Sequence, residues 1–176
     1  MKLFKALLVM AILGSSVNMA KAQKRGLDYA ITIVVKDYFE VKNALTASNA
    51  GLAQNKAGKM IWDLNNVPTK DMNGQQHSSW FSYLSRLQLA ARAISEQSAI
   101  ANQRKQFSAL SNTLYGVLKD LKLNSFAVYK HYSAASDAYW LSDGPAIRNP
   151  YYGIADKKMS KEGVTKEILP AIPANK

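Results

Sequence analysis

The sequence predicts a mainly α fold: a four-helix bundle followed by a small C-terminal region of aromatic-rich strands and loops. Three observations predict it. Four segments between residues 28 and 121 repeat apolar side chains at the three-and-four spacing of an amphipathic helix. After Asn124 that spacing stops, and tyrosines, glycines and prolines crowd together. The chain has no cysteine, so packing alone must hold the core.

The first 22 residues read as an export leader. Lys2 and Lys5 form a basic start, Ala6 to Leu13 an apolar stretch, and Ala20-Lys21-Ala22 a small-x-small cleavage site. The apolar stretch is too short for a membrane span of about 20 residues. No cysteine is present to carry a lipid anchor. The expected organisation is a leader over residues 1–22, a single domain over 23–166 and a flexible tail over 167–176. The expected location is the periplasm or the medium, with no transmembrane segment in the mature chain.

The first helix is expected across residues 28–45, with Ile31, Val34, Val35, Tyr38, Val41 and Leu45 on one face. Thr46-Ala47-Ser48-Asn49 interrupts it, and Ser48 or Asn49 is placed to cap a second helix. That helix runs to about Asn65 with Ala53, Ala57, Met60, Ile61 and Leu64 inward. Residues 67–77, with Pro68 and Gly74, read as a loop. A third helix is expected from Ser78 or Ser79, facing inward with Trp80, Leu84, Leu87, Ala91, Ile94 and Ser98. A weak break near Gln97 to Asn102 precedes the fourth, whose face is Phe107, Leu110, Leu114, Val117, Leu118 and Leu121. Each stripe needs a partner, and a bundle is the simplest solution. Beyond it, Phe126 to Tyr132 and Tyr139-Trp140-Leu141 read as short strands that must lean on the bundle. Asp143-Gly144-Pro145 and Asn149-Pro150 read as turns. Pro170 and Pro173 mark a non-helical end.

Residues 23–176 carry 20 Lys and Arg against 12 Asp and Glu, a net charge of +8. The cations are scattered and form no nucleic-acid-binding signature, so no nucleic-acid partner is expected. The charge points instead to attraction by anionic surfaces or an acidic envelope partner. Without cysteine the chain holds no iron–sulfur cluster and no thiolate zinc or copper site.

The densest stretch is HYSAASDAYWLSDGPAIRNPYYG, residues 131–153. Its aromatics, Tyr132, Tyr139, Trp140, Tyr151 and Tyr152, read as a satellite core that glues the tail to the bundle, or as a recognition surface. Arg148 is placed to stack on a ring or pair with Asp143.

Several segments together resemble an exported domain of unknown function, the DUF3347 family. They are Tyr38-Phe39-Glu40-Val41-Lys42-Asn43-Ala44-Leu45-Thr46-Ala47-Ser48, Arg104-Lys105-Gln106-Phe107-Ser108-Ala109-Leu110-Ser111, Trp140-Leu141-Ser142, and Ile147-Arg148-Asn149-Pro150-Tyr151-Tyr152-Gly153. The resemblance covers nearly the whole mature chain. It implies a domain that stands alone or is attached to adaptor subunits of copper and heavy-metal efflux systems, hence an efflux or envelope protein partner. It also implies two soft-ligand motifs, resembling Cys-Pro-Met-Ala and Met-x-x-Cys-Gly. Here Ser133 and Ala135 stand at the cysteine and methionine of the first. Met159 matches the second, but Glu162 stands at its cysteine. With both thiolates gone, the copper(I) site implied by the family is expected to be missing.

The chemistry left for a metal is sparse. His131 and Met159 flank the same segment and offer a weak copper pair; His77 and Met72 are lesser candidates. No cofactor is expected from the residues themselves, and copper enters only through the resemblance and that pair. Ser133 with His131 and Asp137 suggests a triad, yet there is no G-x-S-x-G elbow and nothing marks an oxyanion hole. The expectation is therefore a non-enzymatic periplasmic accessory or interaction domain. The alternatives are weak copper binding through His131 and Met159, or an exported enzyme of unrecognised type.

Overall fold

The computed structural model describes residues 26–172; the expected leader and its cleavage site lie outside them. Four helices come first: α1 over residues 26–46, α2 over Ala50–Asn65, α3 over Gly74–Ser95 and α4 over Ile100–Leu121. Three strands follow: β1 over Val128–Ser133, β2 over Ala138–Ser142 and β3 over Val164–Leu169. They form one antiparallel sheet in the order β2-β1-β3. The expected architecture, a mainly helical fold with a small C-terminal aromatic-rich β region, is the observed one.

The α1 and α4 stripes are buried as their spacing requires. α1 is buried on more of its circumference than a surface helix needs. Thr32, Asp37, Lys42 and Thr46 are buried along with its apolar residues, because α1 packs against both the bundle and the C-terminal region. Tyr38 joins the two. Its hydroxyl lies 2.7 Å from Ser111 Oγ on α4 and accepts the backbone N–H of Leu141 on β2 at 2.9 Å. Tyr38 also stacks on Phe107, with ring centroids 5.1 Å apart.

Asn49, one of the two expected caps, caps α2 by accepting the N–H of Leu52 at 2.9 Å. Ser48 instead takes the left-handed conformation, φ +55°, in the turn out of α1. α3 begins at Gly74 rather than at Ser78 or Ser79. Asn73 and Gln76 form a reciprocal capping box there, which supplies partners for orphan N–H groups four residues earlier than the apolar spacing suggests. The expected loop is thus shortened, and part of it is a 3₁₀ turn over Thr69–Asp71. Ser98 lies beyond the end of α3, and Ile61 and Leu84 are only half-buried.

The expected tail also starts too early. Glu167 to Leu169 belong to β3, and the chain stays tied down past it. Asn124 Nδ2 donates to Pro170 O at 2.7 Å, and the Ile172 N–H donates to Asn124 O at 2.9 Å. The last four residues of the tail, 173–176, lie outside the described residues.

Candidate functional site

The C-terminal layer is built on β1. Alternation along β1 puts His131 and Ser133 on one face and Lys130 and Tyr132 on the other. Lys130 Nζ sits 3.6 Å from the Tyr115 ring centroid on α4 and 4.4 Å from that of Tyr139. That cation between two rings fixes its face of the sheet to the bundle. Tyr132 and Tyr139 pair across the strands at 4.8 Å.

On the other face, Ser133 and Glu162, the two positions at which the sequence resemblance leads one to expect cysteines, come together. Ser133, fully buried, donates through Oγ to Glu162 Oε2 at 2.5 Å. The Glu162 carboxylate also accepts the Ala134 N–H at 3.0 Å and Asn149 Nδ2 at 3.1 Å. Ser133 Oγ in turn accepts the Ser136 N–H at 3.1 Å, closing the β1–β2 turn. Asn149, also fully buried, spends its remaining capacity on backbone: its Nδ2 donates to Glu162 O at 2.9 Å and its Oδ1 accepts the Tyr151 N–H at 3.0 Å. The result is a closed clasp of Ser133, Glu162 and Asn149 that pins the segment after β2 onto β1. Gly163 is required beside it. Its φ is +140°, and a Cβ would stand 2.5 Å from the Trp140 ring.

The other predicted ligand positions are not part of a cluster. Ala135 is exposed on the β1–β2 turn. Met159 opens the 3₁₀ turn Met159–Lys161, with its N–H bonded to Asp156 Oδ1 at 2.9 Å. His77 packs beside Phe81 on α3, with ring centroids 4.6 Å apart. Among the described residues no three His, Asp or Glu side chains are grouped to hold a metal ion.

His131 is fully buried, and both ring nitrogens have partners: Nδ1 with Thr165 Oγ1 at 3.0 Å and Nε2 with Ser142 Oγ at 2.6 Å. Its protonation follows from the chain of donors. The Ser142 hydroxyl donates to Gly144 O at 2.6 Å, so it can only accept from the ring. Nε2 therefore carries the proton, and Nδ1 accepts from Thr165. Burial pushes the ring's pKa below its ordinary value, which favours this neutral form. A metal would have to take the Nδ1 lone pair from Thr165. The expected His131–Met159 pairing has no free nitrogen on the histidine side.

The aromatics divide in the same way. Trp140, Asn149 and Pro150 are buried, so they pack the layer and present nothing outward. Trp140 lies 5.1 Å from His131 and 6.3 Å from Tyr151 between centroids. Tyr151 donates to Tyr139 O at 2.6 Å, and burial pushes its phenol up to about 12. Tyr132, Tyr139 and Tyr152 are half-buried. Arg148 neither stacks nor pairs with Asp143. Among the described residues it has no ring and no carboxylate in contact, and its side chain is exposed.

Arg104 is the residue whose role the sequence did not announce. Nε donates to Pro150 O at 2.9 Å, and one terminal nitrogen donates to Leu45 O at 2.8 Å and Ser48 Oγ at 3.0 Å. One guanidinium thus fastens the end of α1 to the Asn149–Pro150 turn. Gly153 completes the junction, since a Cβ there would stand 2.2 Å from Ser48 Oγ. Beside Arg104 lies a cavity of about 470 Å³, bordered by Lys105, Ser108, Ser136, Asp137 and Tyr151. Asp137 is its only carboxylate and already accepts the Tyr132 hydroxyl at 2.8 Å.

No helix among the described residues is long and apolar enough to cross a membrane. A family model described as a protein of unknown function, DUF3347, matches residues 34–125, from α1 through α4. The Trp140-Leu141-Ser142 and Ile147–Gly153 segments lie beyond that span. No curated protein and no solved structure matches the chain. The matched residues are more than half of the 176: the chain belongs to the DUF3347 family.

Proposed function

We propose that this protein is a non-enzymatic, exported accessory domain that works by contact with an envelope partner and has given up soft-metal binding. One observation carries the reading: Ser133 and Glu162, which stand where the family resemblance puts two thiolates, are hydrogen-bonded to each other and to Asn149. The same positions that would hold copper(I) here hold the fold together. A hydroxyl and a carboxylate are hard oxygen donors and poorly matched to copper(I). An efflux component is the partner class to which the family resemblance points. The net positive charge favours an acidic face on that partner.

The experiment is calorimetric titration of the purified protein with copper(I), copper(II) and zinc. The expected result is no saturable binding tighter than about micromolar, roughly 8 kcal/mol. A stoichiometric complex above that affinity, weakened in both Met159→Leu and His131→Gln, would overturn the reading and favour direct copper binding. Using two variants guards against His131→Gln acting only by loosening the core.

A further inference from the structure

A second cavity, of about 500 Å³, opens where the last turn of α1 meets the segment after β2. Asn43, Thr46 and Ala47 form its floor, and Ile147, Arg148, Ile154, Lys157, Ser160 and Lys161 line the rest. Its chemistry is one-sided. Three cations line it, and no carboxylate does. Among the described residues none of Arg148, Lys157 and Lys161 is in an ion pair, while five other cation–carboxylate contacts form elsewhere. Ile147 and Ile154 give it an apolar wall.

The cavity's frame is fixed by backbone bonds. The Ile154 N–H donates to Thr46 O at 3.1 Å, and the Asn149 N–H donates to Ser160 O at 2.9 Å. The Ser160 N–H donates to Asp156 O at 2.9 Å, which shapes the turn that carries Lys157 and Lys161. Lys42, one residue before the floor, is buried. Burial lowers its pKa, and Arg148 adds to that effect while Asp143 opposes it. The region thus has more positive charge than its own carboxylates neutralise.

We propose that this cavity binds a small organic anion, its carboxylate or phosphate held by Arg148, Lys157 and Lys161 and its short apolar part lying on Ile147 and Ile154. The size suits a compact ligand, since small-molecule sites run from about 300 to 1,000 Å³. A guanidinium can grip either head group in a two-pronged manner, with the lysines adding point charges. No side chain of the clasp lines this cavity, and the proposal does not depend on whether the protein binds metal.

The test is titration of the purified full-length chain, at low salt, with butyl phosphate, inorganic phosphate and butylammonium, followed by calorimetry. Butyl phosphate is expected to saturate at one per chain and butylammonium not to bind. Burial of about two methylenes makes butyl phosphate about tenfold tighter than inorganic phosphate, and Ile154→Ser should erase that preference. Arg148→Gln should weaken butyl phosphate about tenfold, as loss of a charge-assisted contact requires. Lys122→Asn is the control, because Lys122 caps the far end of α4, 18 residues from Arg104 or about 27 Å along the helix. It should leave affinity within about twofold, the change expected from a screened distant charge. Thermal melts confirm that each variant folds. Vesicles containing phosphatidylglycerol separate the two sources of such a head group. Tighter binding to vesicles that Arg148→Gln abolishes assigns a lipid phosphate, and binding of butyl phosphate alone assigns a soluble ligand. The proposal fails if butyl phosphate does not saturate, if Arg148→Gln leaves it unchanged, or if Lys122→Asn weakens it as much.

Discussion

Breaking the Ser133–Glu162 contact should cost stability, and by an amount the geometry bounds. Ser133 is fully buried and donates to a carboxylate at 2.5 Å, while its oxygen also accepts the Ser136 N–H. A hydrogen bond to a charged group contributes about 1.5–3 kcal/mol, and Glu162 is partly open to solvent, which favours the lower end. Ser133→Ala should therefore cost about 2 kcal/mol, lowering the melting temperature by about 4–8 °C for a domain of this size. Glu162→Gln keeps an acceptor but removes the charge, and should cost about 1 kcal/mol. The decisive quantity is the coupling between them. In a double-mutant cycle followed by urea unfolding, the two losses should fall short of additivity by about 1 kcal/mol. Strict additivity, or a Ser133→Ala variant as stable as the wild type, would show that the contact is not structural and refute the clasp.

Three further outcomes follow from the same geometry. Gly153→Ala forces a Cβ to within 2.2 Å of Ser48 Oγ and should destabilise by about 1–3 kcal/mol, as overpacking does; adding Ser48→Gly should recover part of it, read by thermal melts. Tyr38→Phe strands the buried Leu141 N–H and should cost about 1–3 kcal/mol in urea unfolding. The third concerns pH. His131 has a lowered pKa in the fold, so its contribution is present above about 6.5, its ordinary value, and is lost as pH falls through the folded value. Asp37 has the opposite sign. Burial raises its carboxyl from 3.8 to about 6, so its contribution is present at low pH and is lost as pH rises through about 6. Urea midpoints measured from pH 4 to 8 should lose the acid-side fall in His131→Gln and the opposing slope in Asp37→Asn.

The helices were legible because burial enforces their period. The stripe from Phe107 to Leu121 is inward because α4 has no other way to cover it. The start of α3 was misplaced because Gly74 and the polar run around it looked like a loop. The signal was present in Asn73-Gly74-Gln75-Gln76, whose spacing matches a capping box. β3 was missed because it is an edge strand, mostly exposed and interrupted by Lys166 and Glu167, with Pro170 just behind it. Its β-branched Val164, Thr165 and Ile168 were the available cue.

The site was legible in part. Ser133 and Glu162 were singled out by resemblance alone; nothing in their separation along the chain says that they touch. His131 looked like a ligand because a lone histidine among aromatics does so on paper. Its hydrogen-bond partners, Thr165 and Ser142, come from two other strands. Arg104 escaped notice because two of its partners are backbone carbonyls, at Leu45 and Pro150, and carbonyls leave no mark in a sequence. The cationic cavity has the same origin, since α1 and the 147–161 segment meet only in three dimensions.

The central claim is that the clasp has replaced a metal site, and a ligand that binds only the native state raises its stability by about 2.7 kcal/mol at a hundredfold excess over Kd. The direct measurement is the thermal melt of the protein under reducing conditions, with and without an excess of copper(I). The account predicts no upward shift in Tm. A rise of about 5 °C or more, the size that such a stabilisation produces in a domain of this length, abolished by Met159→Leu, would contradict it.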